Sequence, residues 1–159
     1  MNTAYLLIGG NLGDRAAYLA EAINQISAQC GRVISTSSIY ETAAWGNVNQ
    51  PAFYNQAVKL VTILSPEALI ERLLAIENEM GRVRTEKYGP RTIDLDILMI
   101  NDIVIDTPTL TIPHPQLHNR RFALLPLHEI APALHHPVLN KTIHELLLNC
   151  LDTLDVQKK

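Results

Sequence analysis

The chain has 159 residues, with 16 acidic and 13 basic side chains, a net charge of −3 and 47% hydrophobic content. That composition excludes a disordered chain, and the acidic balance, with a pI near 6.0, excludes a nucleic-acid binder working through a global positive field. Any anion site must be a local cluster. The two cysteines, Cys30 and Cys150, form no Cys-x-x-Cys pair, so neither a disulfide framework nor a cysteine zinc site is expected, and a reducing, cytoplasmic setting fits best. Met1-Asn2-Thr3 reads as the start of a strand rather than a targeting segment, and no apolar run approaches a membrane span.

In chain order, Ala4 to Ile8 predicts a strand, closed by Gly9-Gly10 and followed by the turn and helix cap Asn11-Leu12-Gly13-Asp14. Ala16, Leu19, Ile23 and Ile26 recur at helical spacing before the stop at Gly31. Val33 to Tyr40 predicts a second strand, residues 41–53 a long surface loop, and Tyr54 to Ile63 a third strand. Ser65-Pro66-Glu67 opens a second helix whose stripe of Leu69, Leu73, Ile76 and Met80 ends at Gly81. Residues 82–91 are charged and irregular, 92–100 return to strand character, and Asn101-Asp102 predicts a hairpin turn before Ile103 to Ile105. Helices are expected from Arg121 to Ile130 and from Thr142 to Leu151. The order β-α-β-β-α-β predicts one α+β domain over residues 1–159, a ferredoxin-like αβα sandwich with a largely antiparallel sheet.

The chemistry concentrates in Gly89-Pro90-Arg91-Thr92-Ile93-Asp94-Leu95-Asp96. Two residues apart on a strand, Asp94 and Asp96 leave the same face with Cα atoms roughly 6.5–7 Å apart. Leu98 and Ile100 are expected to continue that face. Paired carboxylates repel unless a cation or shared proton intervenes, and Mg²⁺ suits them because it completes its octahedron with water and phosphate oxygens. Arg82, Arg84 and Arg91 lie close by in sequence, and guanidinium forks grip phosphates bidentately. A polar strand face neutralised by salt bridges is the alternative. A Walker-type loop is excluded, since no Gly-Lys-Ser/Thr occurs. His114 and His118 are separated by Pro115, which disfavours a helical zinc pair, whereas His114 on a stiff Pro-His-Pro segment suits donation to a phosphate. His135-His136 is expected in a solvated loop. Trp45, Phe53, Tyr54 and Phe122 offer stacking faces for a flat heteroaromatic ligand, with Asn55 placed to read its edge. Packing in the core is the alternative for each ring.

These residues, with Gly81-Arg82-Val83-Arg84, Pro113-His114, Asn119-Arg120, Phe122, Thr42, Gly46 and Asn55, closely resemble the 6-hydroxymethyl-7,8-dihydropterin pyrophosphokinase family of folate biosynthesis over nearly the whole chain. The resemblance implies transfer of pyrophosphate from ATP to the pterin hydroxymethyl oxygen, with Asp94 and Asp96 holding two Mg²⁺ ions. It implies Arg82 and Arg91 as the main phosphate stabilisers, supported by Arg84, His114 and Arg120. Glu77, Ile97 and Thr111 would line the ATP site. Thr42 and Asn55 would read the pterin edge, and Phe122, with Trp45 or Phe53, would stack on it. The partners implied are those two small molecules alone, bound by a cytoplasmic monomer without nucleic acid or membrane. A Mg²⁺-dependent nucleotide hydrolase and a non-catalytic nucleotide-binding module are the competing readings.

Overall fold

The computed structural model describes residues 1–43, 50–81 and 92–159. In chain order these form β1 (Asn2–Gly10), α1 (Arg15–Gln29), β2 (Arg32–Thr36), β3 (Tyr40–Thr42), β4 (Phe53–Thr62), α2 (Pro66–Glu79) and β5 (Asp94–Ile100). There follow β6 (Ile105–Asp106), β7 (Thr111–Ile112), a single 3-10 turn (Leu117–Asn119), α3 (Arg121–Ile130), β8 (His135–His136), β9 (Lys141–Thr142), α4 (Ile143–Leu148) and β10 (Val156–Lys158).

The helix ends follow from their caps. Asp14 accepts the Ala17 N–H, Ser65 accepts the Ala68 N–H ahead of Pro66 in the first turn, and Thr142 with Glu145 forms a reciprocal capping box on α4. The main sheet runs β10-β3-β4-β1-β5, with β2 also paired to β4, and every pairing is antiparallel. Alternation along β1 sends Ala4, Leu6 and Ile8 into a core with Leu19, Ala22 and Ile26 of α1 and Leu69, Leu73 and Ile76 of α2. Tyr5 and Leu7 face the other way, against Leu124 and Leu127 of α3 and Ile143 and Leu146 of α4. The fold is thus α+β, with helices on both faces of an antiparallel sheet.

Four expectations need correction. The predicted strand Val33–Tyr40 is two strands, because residues 37–39 leave the ladder and Ser37 ties back to β4 through Ser37 N to Ala57 O and Ala57 N to Ser37 Oγ, both 2.9 Å. The predicted loop 41–53 begins later, since β3 runs to Thr42. Asn101-Asp102 does turn the chain, but the next strand, β6, pairs with β7 instead of returning to β5. His136 is buried in β8, its Nδ1 accepting the N–H groups of Val138 and Leu139, and only His135 is exposed.

A fifth concerns β5. Its pairing with β1 shifts register between Tyr5 and Leu6, so that Leu98 is the extra residue of a bulge. Leu98 and Met99 therefore both pack on the α3/α4 side, while Ile97 and Ile100 both pack on the α1/α2 side. Ile100 does not continue the face of Asp94 and Asp96, because the bulge reverses the alternation before the strand ends.

Candidate active site

The sheet register assembles the site across three strands. Asp94 on β5 lies opposite Gly9 on β1, and Gly9 lies opposite Asn55 on β4. Directly opposed residues share a face, so the carboxylate and the amide stand on the same side with a bare glycine between them. Their backbones are about 10 Å apart, two strand spacings. Asp96 opposes Leu7 two residues along, and Thr42 pairs with Phe53, two residues from Asn55. One face of the sheet thus presents Thr42, Phe53, Asn55, Asp94 and Asp96, on the side where α3 packs.

Gly9 is required by this arrangement. A Cβ there would collide with the Asn55 side-chain oxygen and come within 2.9 Å of the Tyr54 carbonyl oxygen. Asn55 and Thr42 are both buried. The Thr42 hydroxyl donates to the Asp155 carbonyl at 3.0 Å, so toward a ligand it retains only acceptor capacity.

The segment after β7 brings three further groups to the same side. A cis Ile112-Pro113 bond precedes His114, whose N–H bonds the Leu98 carbonyl at 2.9 Å, at the bulge itself. The ring nitrogen Nδ1 of His114 accepts the Gln116 N–H at 3.1 Å, leaving the proton of the neutral imidazole on Nε2. Burial, and then the charge of Arg120, push the His114 pKa down to about 4, against an opposing pull from Asp94. His114 is consequently a neutral N–H donor at pH 7. Arg120 precedes α3, and its guanidinium carbon lies 5.6 Å from the Phe122 ring centroid.

Glu77 and Ile97 are placed differently from the open site residues. Glu77, buried on α2, accepts the Leu95 N–H at 2.7 Å and so anchors the residue between the two aspartates. Ile97 alternates to the α1/α2 core, where its side chain is buried. Thr111 is half-buried in β7, paired with Asp106. Trp45, Arg82, Arg84 and Arg91 lie outside the described residues.

Sequence reasoning missed the supports. Asn11, buried, donates through Nδ2 to the Gln50 side chain at 2.8 Å and to the Pro51 carbonyl at 2.9 Å. Arg15 donates to the Ala52 carbonyl at 2.8 Å, pairs with Glu41 at 3.1 Å and stacks 3.9 Å from the Tyr54 ring centroid. Both tie the end of β1 and the start of α1 to residues 50–52, which lead into the strand that carries Phe53 and Asn55. The only sequence signal was an Asn directly after Gly-Gly, which reads equally well as a turn residue.

Comparison with known proteins decides the family. The profile of the 7,8-dihydro-6-hydroxymethylpterin-pyrophosphokinase (HPPK) family matches residues 5–132. The chain belongs to the HPPK family. It is 41% identical over 145 residues to the 2-amino-4-hydroxy-6-hydroxymethyldihydropteridine pyrophosphokinase of Aquifex aeolicus, covering 91% of this chain and 90% of that one. The enzyme of the same name from Haemophilus influenzae is 43% identical over 138 residues, covering 86% of each chain. The folic acid synthesis protein FOL1 of Dictyostelium discoideum is 43% identical over 148 residues, but these span 93% of this chain and only 22% of that protein. Among solved structures, a Plasmodium falciparum HPPK-DHPS crystal structure superposes with a TM-score of 0.76 at 21% identity, over 92% of this chain and 42% of that one. That likeness places the fold with the HPPK family.

The carboxylate pair fits the hard divalent cation that the family implies. Asp94 and Asp96 are half-buried, stand on one face and offer only oxygen donors. Among the described residues no three or more His, Cys, Asp or Glu groups converge, so the remaining ligands would be water and phosphate oxygens, as Mg²⁺ prefers.

Proposed function

We propose that the protein is an ATP-dependent diphosphotransferase that moves pyrophosphate from ATP to the hydroxymethyl oxygen of 6-hydroxymethyl-7,8-dihydropterin, giving AMP and the pterin diphosphate for folate synthesis. The observation that carries this reading is the shared sheet face, with the buried amide Asn55 opposite Gly9 and the Asp94/Asp96 pair beyond it, in a member of the HPPK family. A planar acceptor read by Asn55 would extend toward the aspartates past Gly9, whose missing side chain makes room for the Asn55 amide. Phe122 and Phe53 supply apolar faces for its ring, and Thr42 an acceptor oxygen.

In the transfer, the acceptor oxygen forms a bond to the β-phosphorus, the bond from that phosphorus to the AMP oxygen breaks, and the hydroxyl proton leaves to solvent. Asp94 and Asp96 would hold two Mg²⁺ ions, which when bound neutralise phosphate charge and acidify the attacking hydroxyl. His114 donates a hydrogen bond from its Nε2–H to a phosphate oxygen, keeping its proton and remaining neutral. Arg120 adds fixed positive charge beside it, and Arg82, Arg84 and Arg91 are assigned to the triphosphate by the sequence signature. Glu77 serves the nucleotide site by fixing β5 through Leu95. Thr111 and the main chain around Ile97 border that site.

The strand order supports a ferredoxin-like form of the αβα sandwich. The two free thiols support a cytoplasmic setting, and the shortness of the edge strand β10, three residues, supports a monomer because so short an edge is a poor template for a second chain. Among the described residues no helix is long and apolar enough to cross a membrane. The deciding experiment mixes the protein with MgATP and the hydroxymethyl pterin and follows products by phosphorus NMR. Equal amounts of AMP and pterin diphosphate are expected. AMP formed without the pterin would make the protein a hydrolase, and unchanged ATP would make it a binding module.

A further inference from the structure

The segment between α4 and the end of β10 bonds both the start of α3, next to Phe122, and Thr42 on β3. Asp152 Oδ2 accepts the Arg121 N–H at 3.0 Å, while its Oδ1 accepts the Leu154 N–H at 3.0 Å. Arg121 opens α3, and the residue in the N-cap position, Arg120, makes no side-chain cap bond. A carboxylate from 31 residues downstream therefore satisfies one of the helix's orphan donors and sits at the positive end of its dipole. The next residue of that helix is Phe122. Three residues beyond Asp152, the Asp155 carbonyl accepts the Thr42 hydroxyl, and β10 then pairs with β3 in the register Val156 to Thr42, Gln157 to Glu41 and Lys158 to Tyr40. Lys159 closes the junction, its N–H on the Ile39 carbonyl at 2.8 Å and its ammonium 3.5 Å from Glu41.

Resting on the acceptor-site reading above, we propose that residues 152–159 form a strap that fixes Phe122 relative to Thr42, with Asp152 as a positioning residue for the acceptor. Asp152 acts through the backbone of Arg121 and Leu154. Loss of the cap frees the first turn of α3, and loss of β10 frees β3. Either change lets the aromatic wall and the polar wall of the pocket move apart. Among the described residues assigned to the ATP phosphates, only Arg120 adjoins this link. Asp94 and Asp96 on β5 and His114, whose N–H is held by the Leu98 carbonyl, are fixed independently of it, so the effect on ATP is the smaller one.

The test compares the parent chain with Asp152→Ala, Asp152→Asn and a chain ending at Asp155, varying acceptor and ATP in turn. Asp152→Ala is expected to raise the acceptor KM about fivefold or more, with the ATP KM within about twofold. Asp152→Asn, which keeps one acceptor oxygen, should lie between parent and alanine variant, and removal of residues 156–159 should raise the acceptor KM alone. Amide hydrogen exchange should quicken at residues 40–42 and 121–124 in Asp152→Ala. An unchanged acceptor KM in both Asp152→Ala and the shortened chain, or equal rises in both KM values, would overturn the strap. Should Asp152→Ala not fold, the shortened chain decides alone. If the parent makes no pterin diphosphate, it is the functional reading that fails, and hydrogen exchange still decides whether the strap exists.

Discussion

The carboxylate of Glu77, buried on α2, accepts the backbone N–H of Leu95, the residue flanked by Asp94 and Asp96. This bond occupies the side of β5 turned away from β1 and holds the strand from below, so the aspartates are set by a residue that is not on their face. Glu77→Leu leaves the Leu95 N–H without its partner and should cost about 1–3 kcal/mol of stability, with a fall in turnover. Glu77→Gln, which keeps an acceptor oxygen, should recover most of both. Urea unfolding alongside initial rates checks this, and equal behaviour of the two variants would refute the role of that bond.

Asp94→Asn and Asp96→Asn should each lower turnover by about a hundredfold or more, close to 3 kcal/mol of transition-state stabilisation. The thermal midpoint should move by no more than about 3 °C, because removing one of two neighbouring like charges relieves repulsion. Steady-state rates at saturating MgATP, with a melting curve for each variant, provide the comparison. Retained turnover in either variant would remove the metal-holding role.

Gly9→Ala should damage acceptor binding more than nucleotide binding. The added methyl group meets the Asn55 side-chain oxygen and the Tyr54 carbonyl, and the backbone cannot yield without disturbing the central β1-β4 ladder. A stability loss of about 1–3 kcal/mol is expected from the overpacking. The acceptor KM should rise while ATP affinity, measured by calorimetry, stays near the parent value.

His114 sets a pH dependence of stability. Its pKa is about 4 in the folded protein against 6.5 in an unperturbed histidine, so between these values the unfolded chain binds the extra proton and the folded one does not. Stability from this group is fully present above pH 6.5 and is lost as the pH falls toward 4, by no more than about 3 kcal/mol. His114→Gln should therefore show a shallower decline in unfolding free energy between pH 6.5 and 4.5 than the parent. Parallel declines would show that the imidazole is not held neutral.

The sequence carried α1, α2 and the start of α4 well, because each has a local signal: Asp14, Ser65-Pro66 and Thr142 are caps, and the apolar stripe of α2 has one period throughout. Asp94 and Asp96 were legible for the same reason, as two like residues at strand spacing. The division between β2 and β3 was not legible, since it depends on Ser37 bonding β4 twenty residues away. Nor was the bulge at Leu98, which is a relation between two strands and leaves no mark in an unbroken apolar run. Asn11, Arg15 and Asp152 escaped because their partners are backbone groups brought close only by the fold. The juxtaposition of Asn55 with Asp94 likewise required the register of three strands.

The extra residue at Leu98 gives β5 two separate anchorages, Leu98 and Met99 in one layer and Ile97 and Ile100 in the other. A straight strand with strict alternation could slip by two positions and keep its pattern. This one cannot, because a slip of two would carry two large side chains, either Ile97 and Leu98 or Met99 and Ile100, into the wrong half of the molecule. Its acidic end is thereby pinned lengthwise, and the His114 main chain, fastened to the odd residue, travels with it. Deleting Leu98 would unlock that alignment without touching a single charged group, and homologues or designs that lose it would have to find another means of keeping histidine and carboxylates in step.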